Sequence, residues 1–239
     1  MVVKMVKKAV CLISGGVDSS VSAFIAKNQG YNIYALTIDY GQRHKKEIEN
    51  AKKIALLLNA KKHIILDINL SKFGGSSLLN KNIEVEKDQN LKNIGKKIPS
   101  TYVPARNTVF LAIALAFAET TDADAIFIGA TATDYSGYPD CRPDFIKSFQ
   151  KLSNIATKKG LDGKQIKIKA PLLNLTKSQI IKKGLKLKVP FDKTWSCYAG
   201  GKKACGRCDS CLLRLKGFKE LGISDPLHYR YLPNWYLKK

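Results

Sequence analysis

The residues best suited to chemistry lie near the start of the chain, in a loop that is rich in glycine and serine. Residues 14–20 read SGGVDSS. The apolar residues 9–13 before them predict a buried strand, and residues 21–26 after them predict the first turns of a helix. Glycines let several backbone N–H groups point at one anion, and a helix N-terminus adds partial positive charge. We therefore expect this loop to bind phosphate.

The acidic residue of the loop needs a separate role, because an ionised carboxylate cannot donate a hydrogen bond to phosphate. Asp18 is expected either to cap the helix or to hold Mg²⁺. The simpler alternative for the whole stretch is a Gly-Gly turn with a serine cap, but the complete strand–loop–helix context favours the phosphate site. The chain contains neither a Walker A motif nor the Gly-x-Gly-x-x-Gly pattern of dinucleotide-binding loops.

Two further stretches carry groups that could face a ligand. Arg106 begins an apolar helix predicted over residues 107–119, where the helix dipole favours an anion rather than a cation. Its position makes sense if it faces a bound phosphate, and the alternative is an ordinary surface arginine. Residues 131–144, which follow a predicted strand at 125–129, hold two tyrosines and three aspartates. A loop that only connects two elements has no need of such a composition.

Four cysteines near the end of the chain have the spacing C-x₇-C-x₂-C-x₂-C. Four thiolates in one short segment suit a tetrahedral metal ion, so we predict a zinc site rather than unpaired thiols or disulfides. Cys11 lies in a predicted strand and is expected in the core, and Cys141 as a nucleophile is a minor alternative. The proposed ligands are Cys197, Cys205, Cys208 and Cys211.

Strands alternate with helices along the chain, which predicts an α/β fold with a Rossmann-like, doubly wound parallel sheet. Ligands of such sheets bind at the carboxyl ends of the strands. The predicted strands cover residues 9–13, 31–38, 62–68, 125–129 and 165–170, and the later helices cover 45–59, 107–119, 145–157 and a segment after a Thr176 cap. Residues 72–100 are predicted to be an insertion with one short strand near 83–85. We divide the chain into an ATP-binding domain, 1–190, and a zinc-binding appendage, 191–239.

The charge and hydropathy of the 239 residues limit the partners that we expect. The formal net charge is +22, which is typical of nucleic-acid-binding surfaces. Because the lysines are spread from end to end, we interpret them as solvated surface and expect no specific nucleic-acid partner. No apolar run is long enough to span a membrane, and no secretion signal is evident, so we expect a cytoplasmic protein. A homodimer is compatible with the sequence.

Five motifs, in this order, carry a resemblance to a known family: SGGVDSS, DYGQRH, STYVPARN, DYSGYPDCRPDF and CGRCDSCLLR. The first resembles the pyrophosphate (PP) loop of the ATP pyrophosphatases, and the whole set resembles the 7-cyano-7-deazaguanine synthase family, QueC. Ser100 departs from the asparagine that is common there. The resemblance implies ATP with Mg²⁺, ammonia and 7-carboxy-7-deazaguanine as reactants, and a structural zinc ion on the four cysteines.

The resemblance places the ATP site on the loop, and the chemistry of the implied substrate suggests the other roles. The ATP-binding residues are expected to be Ile13, Ser14, Gly15, Gly16, Val17, Asp18, Ser19, Ser20, Val21, Ser22 and Ala23. The expected catalytic residues are Ser14, Asp18, Arg106 and Arg142. The expected substrate-binding residues are Asp134, Tyr135, Tyr138, Asp140 and Arg142. A carboxylate matches the adjacent N–H and amino groups of the deazaguanine edge, a tyrosine can stack on the ring, and an arginine can pair with the substrate carboxylate.

Two alternatives remain open from the sequence. One is a tRNA thiolase of the same loop class that holds an iron–sulfur cluster on the cysteines. The other is a zinc-ribbon RNA-binding module without catalysis, although a module that only binds RNA has no need of an ATP loop.

Overall fold

Five parallel strands form the centre of the protein. The structure is a computed structural model and describes residues 6–132 and 138–238. The strands are β1 (Lys8–Leu12), β2 (Asn32–Asp39), β3 (Lys62–Asp67), β4 (Ala125–Phe127) and β5 (Lys167–Lys169). Their order in the sheet is β3-β2-β1-β4-β5, and every neighbouring pair is parallel. The strand order reverses between β1 and β4, so the loops after these two strands diverge and leave a crevice.

Helices cover both faces of this sheet, as the doubly wound prediction requires. The helices of the described chain are α1 (Val17–Asn28), α2 (Lys46–Leu57), α3 (Arg106–Thr120), α4 (Pro143–Ala156), α5 (Lys158–Leu161), α6 (Lys177–Lys186), α7 (Asp209–Glu220) and α8 (Asn234–Leu237), with 3₁₀ turns at Leu70–Phe73, Pro139–Cys141 and Phe191–Lys193. Residues of α1, α2, α6 and α7 pack against one face, and those of α3 and α4 against the other. None of these helices is long and apolar enough to cross a membrane. The predicted fold class is confirmed.

The side chains of β1 point alternately to the two faces of the sheet, and both faces are buried. Ala9 and Cys11 belong to the apolar cluster on the α1 side, and Val10 and Leu12 belong to the cluster on the α3 side. Successive side chains of a strand point to opposite faces, so a strand buried on both sides must be apolar throughout. Cys11 is therefore a core residue, as its position in an apolar run predicts.

Two local predictions differ from the structure. The helix after the loop begins at Val17, four residues earlier than expected, so that Asp18 lies in its first turn. The short strand predicted near residues 83–85 is wrong, because the described chain has no strand between β3 and β4. Val85 is instead buried against the cysteine cluster, and only a single bridge joins Lys87 to Cys208. The apolar pattern there reflects burial, not a strand.

The C-terminal segment packs closely on the sheet domain. Phe218 of α7 lies in the same apolar cluster as β1 and α1. Arg214 is buried and donates to the Asp225 carboxylate, with Nε 2.7 Å from Oδ2, and its guanidinium also donates to Thr194 Oγ1 at 2.8 Å. These bonds tie α7 to the chain on both sides of it. The division of the chain at residue 190 stays a prediction.

Candidate active site

A cavity of about 220 Å³ opens at the carboxyl ends of β1, β2 and β4. Its floor includes Leu12 and Ile13 at the end of β1 and Ile128 and Gly129 after β4. This is the crevice created by the reversal of strand order, where ligands of open α/β sheets bind. The predicted ATP-binding residues that line it are Ile13, Ser14, Gly16, Val17, Asp18 and Ser19.

Hydrogen bonds between serines fix the shape of the loop. The hydroxyl groups of Ser14 and Ser19 lie 2.9 Å apart, and the Ser14 N–H donates to the Ser19 hydroxyl at 3.1 Å. Ser20 donates its hydroxyl to the Gly16 carbonyl at 2.7 Å. Ser14 itself is exposed at the cavity. Ser22 donates to the Ile128 carbonyl at 3.2 Å and so ties α1 to the end of β4.

Close backbone packing explains one glycine of the loop. Gly15 has φ +79°, and a Cβ atom there would lie 2.3 Å from the Glu47 carbonyl oxygen and 2.7 Å from the Ala51 nitrogen. Both atoms belong to the first turns of α2. Only glycine can combine this backbone angle with this approach. The start of α2 is therefore pressed directly against the phosphate loop.

The Asp18 side chain is held by a lysine that the sequence analysis missed. Lys177 Nζ lies 2.6 and 2.7 Å from the two carboxylate oxygens, and its side chain is 9% exposed. The α1 cap is Gly16 and no side chain caps it, so the prediction that Asp18 caps the helix is wrong. Thr176 does cap α6 through a capping box with Gln179, as predicted, and this cap orients the following Lys177 toward the loop. The only sequence signal was that lysine directly follows the cap.

Arg106 enters the cavity from the first turn of α3. Its guanidinium lies 5.6 Å from the centre of the Tyr40 ring, and Nη1 donates to the Tyr40 hydroxyl at 3.4 Å. Burial raises the pKa of Tyr40 to about 12, so this phenol stays neutral. The residue before the helix, Ala105, has φ +51°. Such a left-handed backbone at a non-glycine position costs about 1–2 kcal/mol of stability. The strained residue directly precedes Arg106 and helps to direct its side chain into the cavity.

The aromatic and acidic loop after β4 is brought only partly to the cavity. Tyr138 lines it, and its hydroxyl lies 3.3 Å from the Thr101 hydroxyl. Asp140 is buried outside the lining, where its carboxylate accepts the Asn107 N–H at 2.8 Å and satisfies the start of α3. Arg142 is exposed before α4 and does not line the cavity. The other two predicted residues, Asp134 and Tyr135, lie outside the described residues.

Cys141 is the one described thiol that lines the cavity. Asn107 Nδ2 lies 3.1 Å from its sulfur, and burial raises the pKa of the thiol to about 11. A thiol that remains protonated at neutral pH is a weak nucleophile. Cys141 therefore fits a packing role better than a catalytic one.

The four tail cysteines converge on one point. All four are buried, and their sulfur atoms lie within 4.8 Å of one another. Backbone N–H groups donate to sulfur, from Cys205 to Cys197 Sγ at 3.2 Å and from Cys208 to Cys205 Sγ at 3.3 Å. Gly206 makes this turn possible, because a Cβ there would lie 1.7 Å from the Tyr231 carbonyl oxygen. Such N–H donors stabilise thiolates, so the four residues can hold a metal ion.

Residues 195–211, which we call the cysteine segment, also form one wall of the cavity. Trp195 donates its backbone N–H to the Gly15 carbonyl at 2.8 Å, and its indole N–H donates to the Cys197 carbonyl at 3.0 Å. Lys46 Nζ lies 3.7 Å from the centre of the indole ring. Ser196, Tyr198 and Ser210 contribute further to the lining. One residue thus connects the metal site directly to the phosphate loop.

Glu47 is a second residue of the cavity that the sequence analysis missed. It lies in the first turn of α2, and burial raises the pKa of its carboxyl from 4.5 to about 7. In the sequence nothing distinguishes Glu47 from Glu49, its exposed neighbour on the same helix. Its place beside Gly15 follows from a contact between distant segments, which no local pattern records.

Comparison with known proteins gives the family. The model described as "Queuosine biosynthesis protein QueC" matches residues 8–222, from β1 through α7. The chain belongs to the QueC family. The QueC match includes the loop, the cavity lining and all four cysteines of the cluster, and it confirms the resemblance carried by the five motifs.

Curated relatives agree over nearly the full length of this QueC chain. The 7-cyano-7-deazaguanine synthase of Citrifermentans bemidjiense is 54% identical over 230 residues, which cover 95% of this chain and all of that relative. The 7-cyano-7-deazaguanine synthase of Picrophilus torridus is 54% identical over 231 residues and covers 96% and 94% of the two chains. That of Thermosynechococcus vestitus is 51% identical over 227 residues, with 95% and 97% covered.

Proposed function

We propose that this chain converts 7-carboxy-7-deazaguanine and ammonia to 7-cyano-7-deazaguanine at the expense of ATP. The single observation that carries the proposal is the cavity, which joins the SGGVDSS loop to an arginine and an aromatic wall in a chain of the QueC family. The relatives at 51–54% identity bear the name of this synthase.

The chemistry explains why a phosphate loop is needed. A carboxylate is a poor electrophile, so its oxygen first attacks the α-phosphate of ATP and displaces pyrophosphate. The loop at Ser14 holds the departing pyrophosphate with its N–H groups and hydroxyls. Mg²⁺ would neutralise charge on the phosphates, and the oxygen donors at the loop, the Asp18 carboxylate and the serine hydroxyls, fit this hard cation. Ammonia then gives the amide, and a second activation removes its oxygen to leave the nitrile.

The positions of the described residues narrow the set of candidates for contacts with the substrate. Tyr138 lines the cavity and is our candidate to stack on the deazaguanine ring. Arg106 is the arginine among the described lining residues, and it is our candidate to meet the substrate carboxylate or a phosphate. Arg142 is exposed and Asp140 is engaged by Asn107, so both are weaker candidates than the sequence suggests. For the edge of the ring we keep Asp134, with Tyr135 as a second stacking candidate.

The metal in this proposal is one structural zinc ion per chain. A tetrahedral zinc with Zn–S bonds of about 2.3 Å places its sulfurs about 3.8 Å apart. The Cys205 and Cys211 sulfurs lie 3.9 Å apart. An iron–sulfur cluster has its own atoms between the thiolates and holds them farther apart. The purified protein should therefore be colourless, and a brown protein that absorbs visible light would favour the thiolase alternative.

The remaining partners follow from the same proposal. Ammonia is free in solution, because no glutaminase segment is apparent in the sequence. RNA binding is weak and falls steeply with salt, since the lysines are dispersed and form no recognition surface. The reaction takes place in the cytoplasm, where thiols stay reduced for the metal. A homodimer remains a prediction from the sequence.

One active site should perform both activations, and this gives the test. The protein is incubated with Mg²⁺ and ATP and either the acid with ammonium or the preformed amide alone, and products are measured by mass spectrometry. The amide alone should give nitrile and AMP. Ser14→Ala and Asp18→Asn should slow both reactions together by at least about 100-fold, because both use one loop. The exposed residues of α4 supply matched controls, Ser148→Ala and Asp144→Asn, which should leave both rates unchanged.

Two results would contradict the proposal. No product from the acid with wild-type protein would refute the activity itself. An inert amide, or a loop variant that loses only one of the two reactions, would refute the single site and require a second one.

A further inference from the structure

One carboxylate of the cavity, that of Glu47, has no role in the mechanism proposed so far. The described lining contains two acidic residues, Asp18 and Glu47. Asp18 is bound on both oxygens by Lys177 at 2.6 and 2.7 Å. No hydrogen bond or salt bridge holds the Glu47 carboxylate among the described residues. Of these two carboxylates, Glu47 is the one that no ion pair among the described residues already engages.

The backbone fixes Glu47 in this position. The Glu47 carbonyl oxygen is the atom that a Cβ at Gly15 would meet at 2.3 Å. The start of α2 cannot move away without opening the phosphate loop. The Glu47 backbone is therefore held against the phosphate loop, at the wall of the cavity, by the same contact that shapes the loop. A fixed position of this kind is what a catalytic group needs.

The surroundings suit a small cation. Five aromatic side chains line the same cavity: Tyr40, Phe110, Tyr138, Trp195 and Tyr198. Aromatic faces attract ammonium-type ions, and a carboxylate supplies the charge and the acceptor oxygens. The charged groups that face Glu47 are Arg106 from α3 and Cys197 from the cysteine segment, and Tyr40 after β2 also interacts with it. In the reaction Arg106 is occupied by an anionic substrate group, which leaves Glu47 for the cation.

We propose that Glu47 binds the ammonium ion and takes the protons from the reacting nitrogen. This inference rests on the proposed function and goes beyond it by assigning the nitrogen subsite.

The proton balance shows what Glu47 must do. Ammonium has no lone pair, so its proton passes to the Glu47 carboxylate and leaves ammonia. The nitrogen lone pair forms a bond to the acyl carbon, the bond from that carbon to the AMP oxygen breaks, and AMP leaves with the electron pair. Glu47 passes its proton to water and, as the carboxylate again, takes one proton from the nitrogen, which is now positively charged; this gives the amide. After the amide oxygen is adenylated, Glu47 takes the two remaining protons of the nitrogen one after the other and passes each to water. A C≡N bond forms, and a second AMP departs with the electron pair of the broken C–O bond.

The raised pKa of the Glu47 carboxyl agrees with this role, which rests on the geometry of the cavity. Burial raises the pKa of the carboxyl to about 7, while the positive charge of Arg106 lowers it and the charge of Cys197 raises it. A general base is most effective when its pKa lies near the working pH. An ordinary, exposed glutamate with a pKa near 4.5 is a much weaker base.

The test separates adenylation from the nitrogen steps in Glu47→Gln. Exchange of labelled pyrophosphate into ATP, dependent on the acid and measured without ammonium, should stay within about threefold of wild type. Formation of amide at pH 7 and formation of nitrile from the amide should each fall by at least about 100-fold, because a general base contributes 10²–10⁴-fold. Amide formation should partly recover at high pH and high ammonium, where free ammonia needs no base.

Two variants act as controls. Glu49→Gln removes an exposed carboxylate from the same turn of α2 and should leave all three rates unchanged. Glu47→Asp keeps the base but withdraws it, so it should raise the KM for ammonium and retain more activity than Glu47→Gln. If Glu47→Gln does not fold, Glu47→Asp provides the same comparison of exchange against the nitrogen steps.

The outcomes are distinguishable. Unchanged amide formation in Glu47→Gln, or an equal loss of exchange and of both nitrogen steps, would overturn the role of Glu47. Wild-type protein that exchanges no pyrophosphate with the acid would instead overturn the proposed function.

Discussion

The phosphate loop and the cysteine segment form two walls of one cavity, but they are stabilised in different ways. The loop, residues 14–20, is held by backbone contact with α2 and by bonds between serines. The cysteine segment, residues 195–211, has no strand or helix before α7 and is organised around four sulfur atoms. The first wall is therefore fixed by contacts of the sheet domain itself. The second is built around four sulfur atoms that can hold a metal ion.

The largest effect should come from adding one methyl group to the loop. Gly15→Ala places a Cβ 2.3 Å from the Glu47 carbonyl oxygen at a backbone angle that disfavours side chains. Because neither α2 nor the loop can move apart easily, we expect a loss of about 4 kcal/mol or more in the free energy of unfolding. Thermal and denaturant unfolding measure it.

Gly30→Ala is the matched control for this substitution. Gly30 has φ +81°, close to that of Gly15, but no atom lies within 4 Å of its added Cβ. Its free energy of unfolding should fall by only about 1–2 kcal/mol, the cost of the backbone strain. Equal losses in the two variants would show that contact with α2 does not shape the loop.

Removal of the metal should have a smaller effect that is confined to the second wall. Cys208→Ser, or extraction of zinc by a chelator, removes one ligand or the ion and releases the segment that carries Trp195. Far-UV circular dichroism should keep the signal of the sheet and its helices. The affinity for ATP should fall about tenfold, a coupling of ~1.4 kcal/mol, as expected for regions in direct contact.

Cys11→Ala controls for the loss of a buried thiol, because Cys11 lies in β1 and not in the cysteine cluster. It should keep about one zinc per chain in elemental analysis. If Cys208→Ser binds ATP like the wild type, the two walls are independent and the Trp195 contacts carry no coupling.

The smallest effect concerns Glu47, which lies where the two walls face each other. Its pKa is about 7 in the fold and near 4.5 in the unfolded chain, so between these values the folded state binds more protons. Stability must then fall as pH rises from about 4.5 to 7. Glu47→Gln removes this penalty and should raise the free energy of unfolding at pH 8, with no gain at pH 4.

Denaturant unfolding at the two pH values measures this difference, with Glu49→Gln as the control that should show no pH-dependent gain. A Glu47→Gln protein that is less stable at pH 8 would mean that the carboxylate stabilises the cavity wall. If Glu47 is instead retained for catalysis at the cost of the protein's stability, Glu47→Gln should be more stable than the wild type at pH 8.

Much of the fold was predictable because its central strands, β1, β2 and β4, are largely buried on both faces. Such strands are continuous apolar runs, and β1 and β2 were located to within one residue. Helix starts were less certain: α1 begins at Val17 because Gly16 already has the extended backbone of a cap, and nothing in the side chains marks it. Val85 shows the opposite failure, because an apolar residue buried under the cysteine cluster has the same local pattern as a short strand.

The site was predictable only where one short segment carries it. The loop and the cysteines are local patterns, so the sequence identified them. Glu47 reaches the cavity and Lys177 reaches the Asp18 carboxylate from helices distant in sequence, and their positions follow from the packing of α2 and α6 on the loop and α1. The contact of Asp140 could not be predicted for the same reason, because its carboxylate accepts an N–H from the start of α3, a segment distant in sequence.

The contact between Trp195 and Gly15 also sets an order of events during synthesis. The phosphate loop is made before Trp195 and the four clustered cysteines, which follow every strand of the sheet. Domains fold from the N-terminus as the ribosome extends the chain. A growing chain can thus assemble its sheet and its loop while one wall of the cavity is still absent. Until Trp195 has been added, the Gly15 carbonyl lacks the N–H donor that it has in the finished protein.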